Sequence, residues 1–352
     1  MACPFQITET QIIPPIKNKD MSTVSPRIVY MGTPEFAVAP LTNLVEKGYN
    51  IVGVVTVPDK PSGRGLKLNQ SAVKQYAVEH LVPKGVKLMQ PVSLKDEAFL
   101  NELQQLEADM FIVVAFRMLP EVVWRMPSLG TFNLHGSLLP LYRGAAPINW
   151  AIIKGEEKSG VTTFLIDKEI DTGNILMQRE CPIEEKETIG TLYDKLMAIG
   201  ANLVVETVDG LVEGKLTPKP QTGKITGAPK LNKELGRIKW DMQDPDQSGK
   251  TSAQLINQLV RGLSPYPAAT AAMTDGEKTH EFKIFECTPV KGCGASQNNV
   301  GTIKSDGKTF VHVTCADGSV VALDEIQMAG KKRMQVKDFL LGFRNIESFR
   351  FF

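Results

Sequence analysis

The residues best suited to chemistry are an amide and an imidazole two positions apart, Asn133 and His135, in the run Asn133-Leu134-His135-Gly136-Ser137. Alternate side chains of an extended strand share a face, so both can address one reacting atom. A neutral amide can hold a developing oxyanion while an imidazole moves protons near neutral pH, the pairing that acyl or formyl transfer to an amine would use. On spacing alone, a loop cap in which both side chains satisfy backbone groups accounts for the pair at least as well. A third group, Asp171 in Ile170-Asp171-Thr172-Gly173, could orient the His135 ring, favour its protonated form and accept a proton through water. Asp before Thr-Gly is also an ordinary turn formula. The chemical reading needs all three residues together.

Two neighbouring stretches add to it. Leu138-Leu139-Pro140-Leu141-Tyr142-Arg143-Gly144-Ala145-Ala146-Pro147 is an apolar loop punctuated by Pro and Gly that could line a flat aromatic ligand. It could equally be a hydrophobic connection under a helix start, with Pro147 in the first turn. Pro58 to Lys67 forms a basic loop without a Gly-Lys-Ser/Thr closure, and Gly32 lacks the further glycines of a dinucleotide fingerprint, so a nucleotide cofactor is weakly supported. Lys60, Arg64 and Lys67 could meet phosphate oxygens of a nucleic acid, or simply be solvated. Arg261-Gly262-Leu263-Ser264-Pro265-Tyr266-Pro267 reads as a helix stop and a rigid turn that docks an aromatic ring, and Lys331-Lys332-Arg333 as a solvated basic cluster. His80, His280 and His312 have no partner pattern.

The elements that must position these groups follow from hydropathy. Ile28-Val29-Tyr30, a turn at Gly32 to Pro34, then helical spacing through Phe36, Leu41, Leu44 and Val45 predict strand, turn and helix. Strands at Ile51–Val57 and Met110–Ala115 are near-continuous apolar runs, as expected where helices cover both faces of a parallel sheet, and Phe99, Leu103 and Leu106 mark an intervening amphipathic helix. The expected fold is α/β: a doubly wound, mostly parallel, Rossmann-like sheet followed by a small OB-like β-barrel. Ligands of such sheets sit beyond the carboxyl ends of the strands, where the strand Thr131–Leu134 delivers His135. Strands at Val161–Ile166 and Ile175–Cys181 flank the Asp171 loop, and Ile189–Val212 predicts a long closing helix. After a helix at Ala253–Val260, short alternating strands near 269–273, 281–287, 300–304, 309–314 and 319–326 predict the barrel. The expected divisions are a disordered extension at 1–26, a catalytic domain at 27–212, an exposed linker rich in Lys, Pro, Gly and Thr at 213–235, and a second domain at 236–352.

Composition bounds the function. With 42% hydrophobic and 22% charged residues the chain is globular, and a net charge of +1 argues against a dedicated DNA packager. Residues 1–210 carry 20 Lys+Arg against 24 Asp+Glu and residues 211–352 carry 20 against 15, so the basic surplus lies in the second part. That surplus fits a contact with a polyanion or ordinary scatter. Five cysteines with no CxxC pair signal neither a disulfide framework nor a zinc site, so no metal is expected. Without an apolar run near the roughly 20 residues of a membrane helix, a cytoplasmic protein is the expectation, and no membrane partner.

These residues carry a family resemblance. Met-Gly-Thr-Pro-Glu-Phe-Ala (31–37), Ser-Gly-Arg-Gly (62–65), Asn-Leu-His-Gly-Ser-Leu-Leu-Pro (133–140), Arg-Gly-Ala-Ala-Pro-Ile (143–148) and Asp-Thr-Gly (171–173) resemble the motifs of the methionyl-tRNA formyltransferases from about Arg27 to the C-terminal region. The resemblance implies that Asn133, His135 and Asp171 match the catalytic trio of folate-dependent formyltransferases, with Ser137, Leu138, Leu139 and Pro140 beside the donor, 10-formyltetrahydrofolate. It also implies that Lys60, Gly63, Arg64, Gly65 and Lys67 touch the acceptor stem of methionyl initiator tRNA and that the barrel offers the tRNA a basic face; a monomer is the expectation. Phe116-Arg117-Met118 departs from the family, which more often has Gly after the aromatic, and places a larger residue at the folate pocket. Tyr266-Pro267-Ala268 stands where Trp-Pro-Gly is usual. Rival readings are a formyltransferase acting on a sugar-nucleotide or ribonucleotide amine, an RNA-binding module with a decayed site, and a nicotinamide oxidoreductase, the last weakened by the missing fingerprint.

Overall fold

The computed structural model describes residues 25–62, 67–244, 248–291 and 299–352. In chain order the first half runs β1 (Arg27–Gly32), α1 (Val38–Glu46), β2 (Asn50–Val55), β3 (Lys60–Ser62), β4 (Lys67–Asn69), α2 (Ala72–His80), β5 (Lys87–Met89), α3 (Glu97–Gln105), β6 (Met110–Val114), α4 (Glu121–Trp124) and β7 (Thr131–His135). It continues with β8 (Arg143–Gly144), α5 (Pro147–Ile153), β9 (Lys158–Leu165), β10 (Ile175–Pro182), α6 (Ile189–Val212) and β11 (Gly227–Ala228). The main sheet has the order β10-β9-β7-β6-β1-β2-β5. Its five strands from β7 to β5 are parallel, and β9 and β10 add an antiparallel edge.

Alternation explains why the strands read as continuous apolar runs. Ile28 and Tyr30 of β1, and Met110, Ile112 and Val114 of β6, join α1 and α6 in one core through Leu41, Leu44, Leu192, Leu196, Val204 and Val208. Val29, Met31, Phe111 and Val113 face the opposite way and meet Phe99, Leu103 and Val123 of α3 and α4. Each such side chain removed from water contributes about 1.5–3 kcal/mol. The helices begin where capping residues predict: Asp96 accepts from Phe99 N at 3.0 Å, and Thr188 and Thr191 form a reciprocal capping box on α6. The chain leaves β1 toward β2 and β5, then returns to the other side of β1 with β6 and β7, which creates the crevice that α/β sheets offer to ligands.

The second half comprises α7 (Ser252–Leu263), β12 (Ala269–Thr274), β13 (Thr279–Pro289), β14 (Ile303–Ser305), β15 (Val311–Thr314), β16 (Val320–Met328), β17 (Met334–Gln335), α8 (Val336–Gly342) and β18 (Arg350–Phe351). Strands β14-β15-β16-β13-β12-β18 form one sheet, and a bridge between Thr302 and Arg350 draws its two ends together into a nearly closed barrel. Gly301 sits at that seam with φ +78°, and a Cβ there would lie 1.9 Å from the Phe351 carbonyl oxygen, so only glycine fits. Helix α7 packs Ile256, Leu259, Val260 and Leu263 onto the barrel interior. Its other side meets α5, where Asn149 Nδ2 donates to the Gly262 carbonyl at 2.8 Å.

Several expectations need revision. Helices α2 and α8 and strands β5 and β18 add to the expected elements; α8 carries helical spacing in Val336, Phe339 and Leu340 but runs only 7 residues, and β5 and β18 span 3 and 2. Tyr266 does not dock: the turn closes through Ala268 N to the Leu263 carbonyl at 2.9 Å and leaves the ring 80% exposed. Nor is the stretch at 213–235 wholly an exposed spacer. Lys219 pairs with Ile175, Ala228 is fully buried, and β11 lies parallel to β8.

Candidate active site

Strand β7 delivers two of the three candidate groups. Phe132 and Leu134 fill the core under α6, so alternation sends Thr131, Asn133 and His135 to the opposite face. Thr131 is used structurally, its Oγ1 donating to the Trp124 carbonyl at 2.8 Å. Asn133 is half-buried, and its side-chain amide has no hydrogen-bond partner among the described residues. A half-buried amide in this condition is open to water or to a ligand.

His135 is only 7% exposed. Its Nε2 lies 2.9 Å from the Tyr142 carbonyl oxygen. A carbonyl only accepts, so Nε2 carries the hydrogen and Nδ1 is the nitrogen free to gain or lose a proton. Nδ1 faces Asp171 Oδ2 across 3.7 Å, too long for a hydrogen bond and close enough for strong attraction once the ring is protonated. The same Oδ2 accepts from the Gly144 amide at 2.8 Å. Phe164 of β9 closes the other side of the imidazole edge-on, with centroids 6.4 Å apart.

The backbone of residues 142–144 therefore holds both partners, Tyr142 through its carbonyl and Gly144 through its N–H. Sequence reasoning missed these two because main-chain groups leave no side-chain signature. Gly144 itself gives a hint. At φ +124° a Cβ would lie 2.7 Å from the Ala228 carbonyl oxygen, so no other residue allows β8 to pass so close to β11.

The loop after His135 divides into two kinds of residue. Ser137 and Leu139 are buried, and the Ser137 hydroxyl donates to the Leu141 carbonyl at 2.5 Å. Leu139 N donates to Thr162 Oγ1 at 3.1 Å and Gln178 Nε2 donates to the Leu139 carbonyl at 2.9 Å, which fastens the loop to β9 and β10. Leu138 and Pro140 are half-buried and remain available to a ligand.

Across the crevice, Arg117 donates from Nη1 and Nη2 to the Val92 and Pro91 carbonyls at 2.9 and 2.8 Å, tying the segment after β5 to the segment after β6. Its Nε has no partner, and removal from water lowers the guanidinium pKa from the usual arginine range. Met118 and Val92 beside it are 69% and 85% exposed. An unpartnered amide and an exposed apolar rim are what a flat, amide-bearing ring system requires, so the residues present fit a folate.

Of the basic-loop candidates, Lys60 is exposed on β3, which pairs with β4 in register Ser62↔Lys67. Gly63, Arg64 and Gly65 lie outside the described residues, and only the backbone of Lys67 is described. The base of this hairpin is anchored: Lys74 Nζ lies 2.6 Å from Asp59 Oδ2 and Gln90 Nε2 donates to Oδ1 at 2.9 Å, which together hold the Asp59 carboxyl below the usual carboxylate range. Because β2 and β7 run parallel, the hairpin rises at the same edge of the sheet as His135. Arg333 of the C-terminal basic cluster is paired with Glu325 and lies over the Phe285 ring at 4.2 Å. A large cleft of about 1560 Å³, lined among others by Glu184, Arg261 and Glu286, contains none of the three candidate groups.

Family models and curated relatives show the family, and solved structures show the fold. A family model described as formyl transferase matches residues 26–208, and one described as formyl transferase, C-terminal domain, matches residues 230–344. The chain is 48% identical over 330 residues to a methionyl-tRNA formyltransferase of Bacteroides fragilis, covering 92% of this chain and 97% of that one. It is 51% identical over 331 residues to that of Parabacteroides distasonis, with coverage of 92% and 97%. Among solved structures, HypX from Aquifex aeolicus in complex with tetrahydrofolic acid superposes with a TM-score of 0.56 at 19% identity over 91% of this chain, which spans only 47% of HypX. An N-formyltransferase from Helicobacter canadensis in complex with folinic acid and dTDP-3-aminofucose gives 0.58 at 19% identity, covering 84% of this chain and 98% of that one. At that identity the two structures speak to fold alone.

Proposed function

The chain belongs to the formyl transferase family, and from that premise we infer that it transfers the formyl group of 10-formyltetrahydrofolate to the α-amine of methionyl initiator tRNA, giving formylmethionyl-tRNA. The observation that carries the chemistry is the unpartnered Asn133 amide, two residues from an imidazole whose tautomer is set by Tyr142 and whose free nitrogen faces Asp171. The donor, when bound, supplies an electrophilic formyl carbon. The loop Ser137–Pro140 forms one wall beside it, chiefly through Leu138 and Pro140, and Val92 and Met118 form the opposite rim, held by Arg117.

Asn133 Nδ2 donates to the formyl oxygen and holds the charge that develops there as the amine attacks. His135 carries a proton at Nδ1 for the same charge, stabilised by the Asp171 carboxylate. Asp171 accepts the proton that the amine loses on attack, and His135 gives its Nδ1 proton to the donor nitrogen as the bond from that nitrogen to the formyl carbon breaks and tetrahydrofolate leaves. Burial of His135 and Asp171 strengthens these interactions relative to water.

Lys60, Gly63, Arg64, Gly65 and Lys67 take the acceptor stem at the same edge of the sheet, with the barrel as a further surface for the tRNA. In this reading residues 27–212 are the catalytic domain, 213–235 the connector and 236–352 the tRNA-binding domain, in a cytoplasmic enzyme that acts as a monomer. Among the described residues no helix is long and apolar enough to cross a membrane.

The deciding experiment supplies labelled 10-formyltetrahydrofolate with three acceptors: methionyl-tRNA, a sugar-nucleotide amine and a ribonucleotide amine. Label is expected in the tRNA. Label in either small amine in preference to tRNA would overturn the assignment.

A further inference from the structure

Asp171 occupies the left-handed region at φ +57°, which Asp enters more readily than most non-glycine residues, so its placement turns on what holds the loop. A residue that holds this loop comes from the connector, not from the sheet. Gln221 Nε2 donates to the Asp171 carbonyl at 2.9 Å and to the Gly173 carbonyl at 2.8 Å. Its Oε1 accepts from Arg143 Nε at 3.1 Å and Nη2 at 2.7 Å. Both donors and both lone pairs of the amide are thereby used. Guanidinium only donates and carbonyls only accept, so the orientation of the amide is chemically forced.

Arg143 stands between the two main-chain groups that hold the site. Tyr142 O takes His135 Nε2, Arg143 takes Gln221, and Gly144 N takes Asp171 Oδ2, so three successive residues and one glutamine close a ring around the His135–Asp171 pair. The connector secures the same segment from outside. Arg143 N donates to the Thr226 carbonyl at 2.9 Å, Tyr142 N to Thr226 Oγ1 at 2.8 Å and Ala145 N to the Ala228 carbonyl at 2.8 Å. A close approach of the Asp171 loop to the sheet completes the arrangement: a Cβ on Gly173 would lie 1.7 Å from the Leu165 carbonyl oxygen.

We propose that Gln221 is a positioning residue for formyl transfer: it bridges Arg143 and the Asp171 loop, and so fixes the separation of the Asp171 carboxylate from His135 Nδ1. This inference rests on the catalytic reading of His135 and Asp171 given above. It also assigns the connector a part in catalysis, since the segment that leads into the barrel holds the loop bearing the carboxylate.

Two substitutions test it in the full chain. Gln221→Glu keeps the shape and the contact with Arg143 but sets an oxygen against two carbonyl oxygens, whereas Gln221→Met keeps the length and loses all four hydrogen bonds. Both should fold, as checked by a single cooperative thermal melt, which loss of these hydrogen bonds lowers. Displacement of a reacting group by about 1 Å costs about 100-fold in rate, so kcat with methionyl-tRNA should fall about 100-fold in Gln221→Glu and somewhat less in Gln221→Met. KM for the formyl donor should hold near the wild-type value, and the pH at which kcat is half-maximal should move. The ¹⁵N shifts of the His135 ring, read without substrate, should also change. A purely structural residue would leave the pH profile and the ring shifts in place whatever the melt does, and that outcome overturns the proposal, as does wild-type kcat in folded Gln221→Glu. His135→Ala measured in parallel separates the two readings. If it is inactive while Gln221→Glu is fully active, only the positioning role fails; if it is active, the catalytic assignment itself fails.

Discussion

The two halves of the molecule differ in the polar groups they gather. In the parallel-sheet domain a strand end delivers an amide without a protein partner and an imidazole held by one main-chain carbonyl, with a carboxylate 3.7 Å away. In the barrel the described interior is apolar, and several charges at its surface are neutralised locally, as in Arg333 with Glu325 and Arg237 with Glu281. The contrast teaches that reactivity here depends on which groups the fold brings together, since the buried Trp240 Nε1 of the second half also lacks a partner. In the proposed reading the barrel surface meets a large polyanion, and such a surface tolerates internal pairing because many weak contacts add up. A site that must hold one oxygen and move one proton does not.

The strongest way to break the comparison is to remove the proton-handling pair. His135→Ala and Asp171→Asn should each lower kcat by about 10³-fold or more, while tRNA affinity in a filter-binding assay stays near that of the wild type. Retained turnover in either variant would remove the distinction between the halves. Asn133→Ala deletes the unpartnered donor and should cost about 10²–10³-fold in kcat with little change in KM, read by steady-state kinetics.

Arg64→Ala tests the hairpin rather than the chemistry. It should raise KM for methionyl-tRNA about tenfold and leave folate affinity, measured by fluorescence quenching, unchanged; an effect confined to folate would refute the assignment of that loop to tRNA. Smaller still is the effect expected from salt. Because part of the barrel's charge is already paired, tRNA binding should weaken only about tenfold between about 50 and about 200 mM salt, and a salt-independent affinity would show that basic residues contribute nothing.

The cysteines sharpen the same contrast at the level of protection. Burial pushes the Cys315 thiol up to about 12 and the Cys287 thiol higher. A raised thiol pKa means little thiolate at pH 8, so both should resist maleimide in the native protein and react after denaturation, as followed by mass spectrometry. Prompt native labelling of either would show that the barrel opens readily.

Much of the architecture was readable without coordinates, for identifiable reasons. The runs at Ile28–Tyr30, Ile51–Val55 and Met110–Val114 are apolar on both faces, which only a sheet covered on both sides explains, and α6 follows from its length and its Thr188 cap. Short elements such as β5, with Lys87, Leu88 and Met89, lie below the length at which periodicity means anything. The stretch around Gln221 was misread because Pro, Gly and Lys mark exposed chain by composition. Its one glutamine matters through contacts with residues 78 and 50 positions away.

The sequence by itself determined the chemistry available: which side chains can donate, accept and titrate, and that Asn133 and His135 must share a face, since the two-residue repeat of a strand is a local property. Tertiary structure alone decided which of those groups remain free and which are held. The tautomer of His135, the placement of Asp171 and the engagement of Gln221 all depend on main-chain carbonyls and amides brought from distant segments, and every residue carries those same backbone groups whatever its letter.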